Sequence, residues 1–302
     1  MKKFAIYIVS VVLVVAVIDV SFGLASSFYV KNYRLPGDYG SVDYLMKDSK
    51  DDILILGSSV AMNSMRPVVI EDSLGMSCFN GGANGQQVIY YRTMLDCVLK
   101  KHTPKLVIIG AKMTELRDGG DDRYNFLTPY YHTGYSIIDS CLESRGEYNK
   151  FFMRSNLYRY NQSWFRILLY HFMTADDAPE KGFIGKSKPL IPTVMTEETE
   201  KGGVTPQLFS DFKSIIEECK HRGIKVMVYF PPMYSNFVVM PASVDSVTEY
   251  CHANHIPFYN DLQDSTFLAH NEYFHDNKHL SVEGATVYTA NFVSRIKKCL
   301  KQ

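Results

Sequence analysis

Apolar residues run almost unbroken over positions 4–18, pause at Asp19 and resume over 20–30. A helix from 4 to about 24 is long enough to cross the roughly 30 Å hydrocarbon layer of a bilayer. Beyond this segment the apolar residues come in short blocks. Ile53-Leu54-Ile55-Leu56-Gly57 reads as a strand buried on both faces, and further blocks lie at 76–79, 106–109, 224–230 and 256–259. Between them the apolar spacing is helical. Val88, Tyr91, Leu95 and Val98 share one face of a helix at 86–102, and Leu208, Phe212, Ile215, Ile216 and Cys219 share one at 206–221. Residues 242–254 and 281–300 read as helices too, the second with Ser281 as its N-cap. Strand and helix alternate, which predicts an α/β domain with a parallel sheet and helices on both faces.

Two stretches break the pattern. Residues 31–50 are mostly polar, with Pro36-Gly37 and Gly40 as breakers, and read as a tether. Residues 117–205 contain Gly119-Gly120-Asp121-Asp122, a Tyr/Phe-rich segment at 148–172 and a Lys/Pro/Gly/Thr-rich run at 178–205. A connection of that length reads as a partly helical insertion over the carboxyl edge of the sheet. The expected layout is therefore an anchor at 1–30, a tether at 31–50 and a domain at 51–302 carrying the insertion.

Charge changes the picture at the N-terminus. Lys2 and Lys3 precede the apolar run and mark its cytoplasmic side, so the remainder lies extracytoplasmic, in the bacterial periplasm or at the cell surface. Gly23-Leu24-Ala25 allows a cleaved signal peptide as the rival reading. The apolar character continuing through Phe28, Tyr29 and Val30 favours a retained anchor. Over the 302 residues Lys+Arg and Asp+Glu are both 32, without the basic excess a nucleic-acid binder uses to neutralise phosphates. The six cysteines follow no metal-ligand spacing, and no disulfide pairing is assigned to them.

Three constellations carry candidate chemistry. Gly57-Ser58-Ser59 follows the first buried strand, which places Ser59 where such sheets bind ligands, beyond the strand's carboxyl end. Asp276 and His279 stand three residues apart, so one turn brings the carboxylate to the imidazole Nδ1–H and leaves Nε2 free to take a proton. His275 and His270 are weaker candidates for that base. Asn80-Gly81-Gly82-Ala83-Asn84-Gly85-Gln86 follows the second strand. It lacks the lysine and glycine spacing of a phosphate loop and suits an oxyanion hole better.

Together these blocks resemble the SGNH, or GDSL-like, hydrolase superfamily over 51–116 and 206–300. The resemblance implies a flavodoxin-like three-layer sandwich with a central parallel sheet of about five strands. It gives Ser59 the nucleophile position, with Ser58 in place of the usual Asp, and Asp276 and His279 the rest of a catalytic triad. Gly85 matches the oxyanion glycine. The family's third block supplies an oxyanion asparagine after the third strand; here that place reads Gly110-Ala111-Lys112-Met113-Thr114-Glu115, so Lys112, Thr114 or Asn84 stands in as donor. The implied activity is that of an esterase or O-acyltransferase on an acylated, in particular acetylated, envelope glycan or a lipid-linked donor. No cofactor or metal takes part, and a multi-pass membrane acyltransferase is an implied partner. The rival readings are a catalytically weak binding or assembly protein of the same fold, favoured by the missing asparagine, and a metal-dependent phosphoesterase.

Overall fold

A computed structural model describes residues 1–35, 38–117, 124–144, 150–172, 180–186, 195–197 and 203–301. The breakers Pro36-Gly37, the Gly119–Asp122 run and much of 178–205 lie outside the described residues. The chain forms two compact units, one from Met1–Asp43 and Tyr124–Thr174, the other from Tyr44–Arg123 and Ala175–Gln302.

The first unit begins with α1, Lys2–Asn32, which is long and apolar enough to cross a membrane. Within the stretch 31–50 read as a tether, Asp38–Lys47 form α2, which runs from the first unit into the second and on which Tyr39, Val42, Leu45 and Met46 are fully or almost fully buried. Their three-to-four-residue spacing is helical, but the intervening Ser41 and Asp43 look polar and are buried as well. Asp43 is buried because the Tyr130 hydroxyl donates to it at 2.5 Å. That burial and the adjacent carboxylate hold the Tyr130 phenol well above its ordinary pKa.

In the second unit the chain runs β1 (Ile53–Gly57), α3 (Ser59–Ser64), α4 (Pro67–Leu74), β2 (Cys78–Asn80), α5 (Val88–Leu99) and β3 (Leu106–Gly110). The first unit then takes α6 (Ser136–Glu143) and α7 (Asn156–Phe172). The second resumes with β4 (Met195–Glu197), α8 (Pro206–His221), β5 (Lys225–Phe230), β6 (Ser235–Phe237), α9 (Ala242–Ala253), β7 (Phe258–Asn260), α10 (Ser265–Leu268) and α11 (Val282–Lys301). Residues 124–174, read from the sequence as an insertion in the sheet domain, therefore group with α1.

The central sheet has the strand order β2-β1-β3-β5-β7, and every pairing is parallel. This is the doubly wound order in which ligands sit beyond the carboxyl ends of the strands. Alternate strand residues point to opposite faces. Ile53, Ile55, Leu106, Ile108, Met227 and Tyr229 build one core with Ala61 and Met65 at α3, Ile70 of α4, and Tyr288, Phe292 and Ile296 of α11. Helices α5, α8 and α9 cover the other face. A small parallel pair, β4–β6, stands apart from this sheet. All six cysteines are buried free thiols.

Candidate active site

The first component is the turn out of β1. Gly57 lies opposite Gly110 in the sheet register. A Cβ at Gly57 would fall 2.3 Å from the Ala61 Cβ and 2.5 Å from the Gly110 carbonyl oxygen, so only glycine lets α3 start directly on the strand end. Ser58 caps α3, its hydroxyl accepting from the Val60 N–H at 3.4 Å. Ser59 is the first helical residue and half-buried. Its N–H has no intrahelical acceptor and none among the described residues.

The second component is the turn before α11. Asp276 Oδ1 accepts from the backbone N–H groups of Lys278 (2.8 Å) and His279 (2.9 Å), closing the turn on the carboxylate itself. An antiparallel bridge between the buried Phe274 and Leu280 flanks it. Asn277 ties the turn to the loop after β5: its Nδ2 donates to the Tyr234 carbonyl (2.9 Å) and its own carbonyl accepts the Tyr234 N–H (3.0 Å). Ser281 then caps α11, accepting the Gly284 N–H at 3.1 Å.

These two pieces meet across 220 residues of sequence. His279 Nε2 is 2.9 Å from Ser59 Oγ, and His279 Nδ1 is 3.0 Å from Asp276 Oδ1 and 2.9 Å from Oδ2. Burial raises the Asp276 pKa, but the His279 ring and the two backbone N–H groups more than offset this and bring it to about 2. A carboxylate ionised throughout the working pH range fixes the proton on Nδ1 and leaves Nε2 as acceptor towards the hydroxyl. The competing histidines are engaged differently. His270 pairs with Glu272 at 2.8 Å and stacks on Tyr273, while the His275 backbone N–H donates to the His279 carbonyl.

The loop after β2 is fixed by Asn80, which is fully buried. Its Nδ2 donates to the carbonyls of Ala61 within α3 (2.9 Å) and of Met65 at its end (2.8 Å), and its Oδ1 accepts the Gly82 N–H at 3.0 Å. One side chain thus couples the helix bearing Ser59 to the glycine loop, a role that its place in the motif did not disclose. Gly85 has a φ of 68°, and the Asn84 side chain has no hydrogen-bond partner among the described residues. The turn after β3 closes on itself: Glu115 Oε2 accepts from the Lys112 N–H and the Tyr91 hydroxyl, both at 3.1 Å. The Lys112 ammonium donates to the Gln86 carbonyl at 3.0 Å. Thr114 is half-buried, its carbonyl accepting the Arg117 N–H. Among the described residues, none of Gly85, Asn84, Lys112 and Thr114 hydrogen-bonds to Ser59 or His279.

Residues 180–186 strap the site from outside. The Lys181 carbonyl accepts the Asn80 N–H, Asn63 Nδ2 donates to the Ile184 carbonyl at 2.6 Å, and the Lys186 carbonyl accepts the Val282 N–H. This short segment thereby joins the β2 loop and α3 to the start of α11. Among the described residues no three His, Cys, Asp or Glu side chains gather as a metal site.

Similar solved structures are GDSL-like lipases and acylhydrolases. They include a GDSL-like lipase from Bacteroides thetaiotaomicron (14% identity, 88% of this chain and 98% of that one, TM-score 0.42), a lipase/acylhydrolase from Enterococcus faecalis (12%, 82% and 95%, 0.38) and an acetyl xylan esterase (13%, 82% and 98%, 0.39). No protein-family model matches the sequence, and neither does any curated protein. Likeness this distant carries no weight about chemistry, and the functional reading rests on the distances at the sheet edge.

Proposed function

We propose that the chain is an SGNH-type serine acyl-ester hydrolase or O-acyltransferase, with Ser59 as nucleophile, His279 as general base and acid, and Asp276 as the group that orients and stabilises the imidazolium. The observation that carries this reading is the continuous relay Ser59–His279–Asp276, assembled from opposite ends of the sheet unit at hydrogen-bond distances. Ser59 Oγ attacks an ester carbonyl while His279 Nε2 takes its proton. The tetrahedral oxyanion is held by the N–H groups of Ser59 and Gly85, which have no acceptor among the described residues. His279 then gives its proton to the leaving alcohol, and water or a sugar hydroxyl takes the acyl group from Ser59. With α1 as a retained anchor and the sheet unit extracytoplasmic, the substrate is an acylated envelope glycan or a lipid-linked acyl donor, and a multi-pass acyltransferase is a suitable partner.

The test is turnover of p-nitrophenyl acetate by the full chain in detergent, with and without an added acetylated oligosaccharide. Activity that disappears in Ser59→Ala supports the reading, and acyl transfer onto the oligosaccharide selects the transferase. The self-closed turn at Glu115, where the family places an oxyanion asparagine, favours a second reading: a binding protein that keeps the relay without efficient turnover. Tight binding of the oligosaccharide, with no turnover of either ester, selects that one.

A further inference from the structure

Asp19, inside the apolar run of α1, accepts four hydrogen bonds from the start of α7. The donors are Ser155 Oγ (2.6 Å), the Asn156 N–H and Nδ2 (both 3.0 Å) and the Leu157 N–H (2.9 Å). The first N–H groups of a helix have no partner inside it, and here a carboxylate from another helix satisfies them. From that point α7 runs outward alongside α1: Tyr160 meets Ser27 at 3.2 Å, and Trp164 Nε1 donates to Ser26 at 2.6 Å. At the crossing, a Cβ on Gly23 would fall 2.2 Å from Asn156 Cγ, so glycine is what leaves room for the Asn156 side chain there.

Before Asp19 no described residue covers α1: residues 1–18 are all exposed. The bare apolar stretch 4–18 rises about 22 Å at 1.5 Å per residue, whereas a bilayer core needs about 30 Å. The missing length, roughly 8 Å, corresponds to about five further residues and carries the outer boundary to about Leu24. Asp19 and the α7 start bound to it therefore lie below that boundary. The chain entering α7 is apolar on its exposed side. Phe151 is 72% and Phe152 is 52% exposed, and Leu157 and Tyr158 are exposed beside them. Its backbone suits hydrocarbon, because the Arg154 and Ser155 N–H groups donate to the Phe151 and Phe152 carbonyls. The exposed Arg154 has a stem long enough to carry its charge up to the phosphates, and the Lys150 ammonium is paired with the Glu143 carboxylate at 3.5 Å. Phe165, 70% exposed and two turns further along α7, falls at headgroup level.

We infer that residues 151–158 form a re-entrant wedge immersed in the outer leaflet of the bilayer that α1 crosses, held at that depth by Asp19. The inference rests on α1 being a retained anchor. The full chain is reconstituted in vesicles of phosphatidylcholine with phosphatidylglycerol and no other protein. A fluorophore sensitive to polarity is attached to Phe152→Cys or Val12→Cys, since the native thiols are buried. Quenching is then read from lipids bearing a nitroxide high or low on the acyl chain. The wedge predicts blue-shifted emission at 152, quenched most by the shallow nitroxide, and quenching at 12 by the deep one. Asp19→Leu, which removes all four acceptor contacts, should abolish the signal at 152 and spare that at 12. Quenching at 12 with a water-like signal at 152 overturns the wedge, leaves the anchor standing and assigns the apolar face to a protein partner. A water-like signal at both positions overturns anchor and wedge together.

Discussion

Asp276→Asn is the sharpest perturbation of the relay, because the structure dictates which way the new amide must face. Asp276 Oδ1 already accepts the Lys278 and His279 N–H groups. The amide oxygen must stay there, since the alternative sets NH2 against two donors. The amide nitrogen then faces His279 Nδ1, 2.9 Å from the present Oδ2. With NH2 at that nearer position, the tautomer in which Nδ1 accepts gains over the one in which Nδ1–H keeps its 3.0 Å contact with Oδ1; the ring proton then sits on Nε2, which donates to Ser59 Oγ where it should receive. An Asp→Asn change of this kind costs about 10⁴ in turnover, which is about 5.4 kcal/mol of barrier. The fold should survive with little change in Tm, because both turn-closing bonds remain and the lost contact is only half-buried. Turnover of p-nitrophenyl acetate by the full chain in detergent, with Tm measured on the same preparation, reads both quantities. A variant within tenfold of wild type, alongside an inactive Ser59→Ala, would refute the tautomer argument.

Asn80→Ala deletes the bonds coupling α3 to the glycine loop and strands two buried carbonyls, so urea denaturation should show a loss of roughly 2–4 kcal/mol, and turnover should fall with it. Gly57→Ala drives a methyl into Ala61 and the Gly110 carbonyl; an overpacking cost of roughly 1–3 kcal/mol in the same assay and a displaced Ser59 are expected. The folded pKa of Asp276, about 2, lies below its ordinary 3.8. Its contribution to stability is therefore present above about pH 4 and lost as the pH falls through 2. Tm measured against pH should show an acid decline in wild type that is shallower in Asp276→Asn.

The strands, the helices at 206–221 and 242–254, and the Ser59 and Asp276/His279 turns were legible because each depends on local information: a continuous apolar block, a helical stripe, a capping residue. What escaped depends on partners far along the chain. Helix α2 was hidden by the polar Ser41 and Asp43, both buried, and the burial of Asp43 makes sense only once Tyr130 is seen on it. The grouping of 124–174 with α1 was hidden for the same reason, since Asp19 shows its use only beside Ser155 and Asn156. Glu115 and residues 180–186 carry no motif, and their roles appear only when Tyr91, Lys112 and Asn80 are placed against them.

The central claim is that Ser59 is a nucleophile primed by His279. Treatment of the full chain with a fluorophosphonate, followed by peptide mass spectrometry, tests it without knowledge of the natural substrate. A covalent phosphonyl adduct on Ser59, absent in Ser59→Ala and strongly slowed in His279→Ala, is the predicted result. A wild-type chain that stays unmodified, or one labelled equally well without His279, would contradict it.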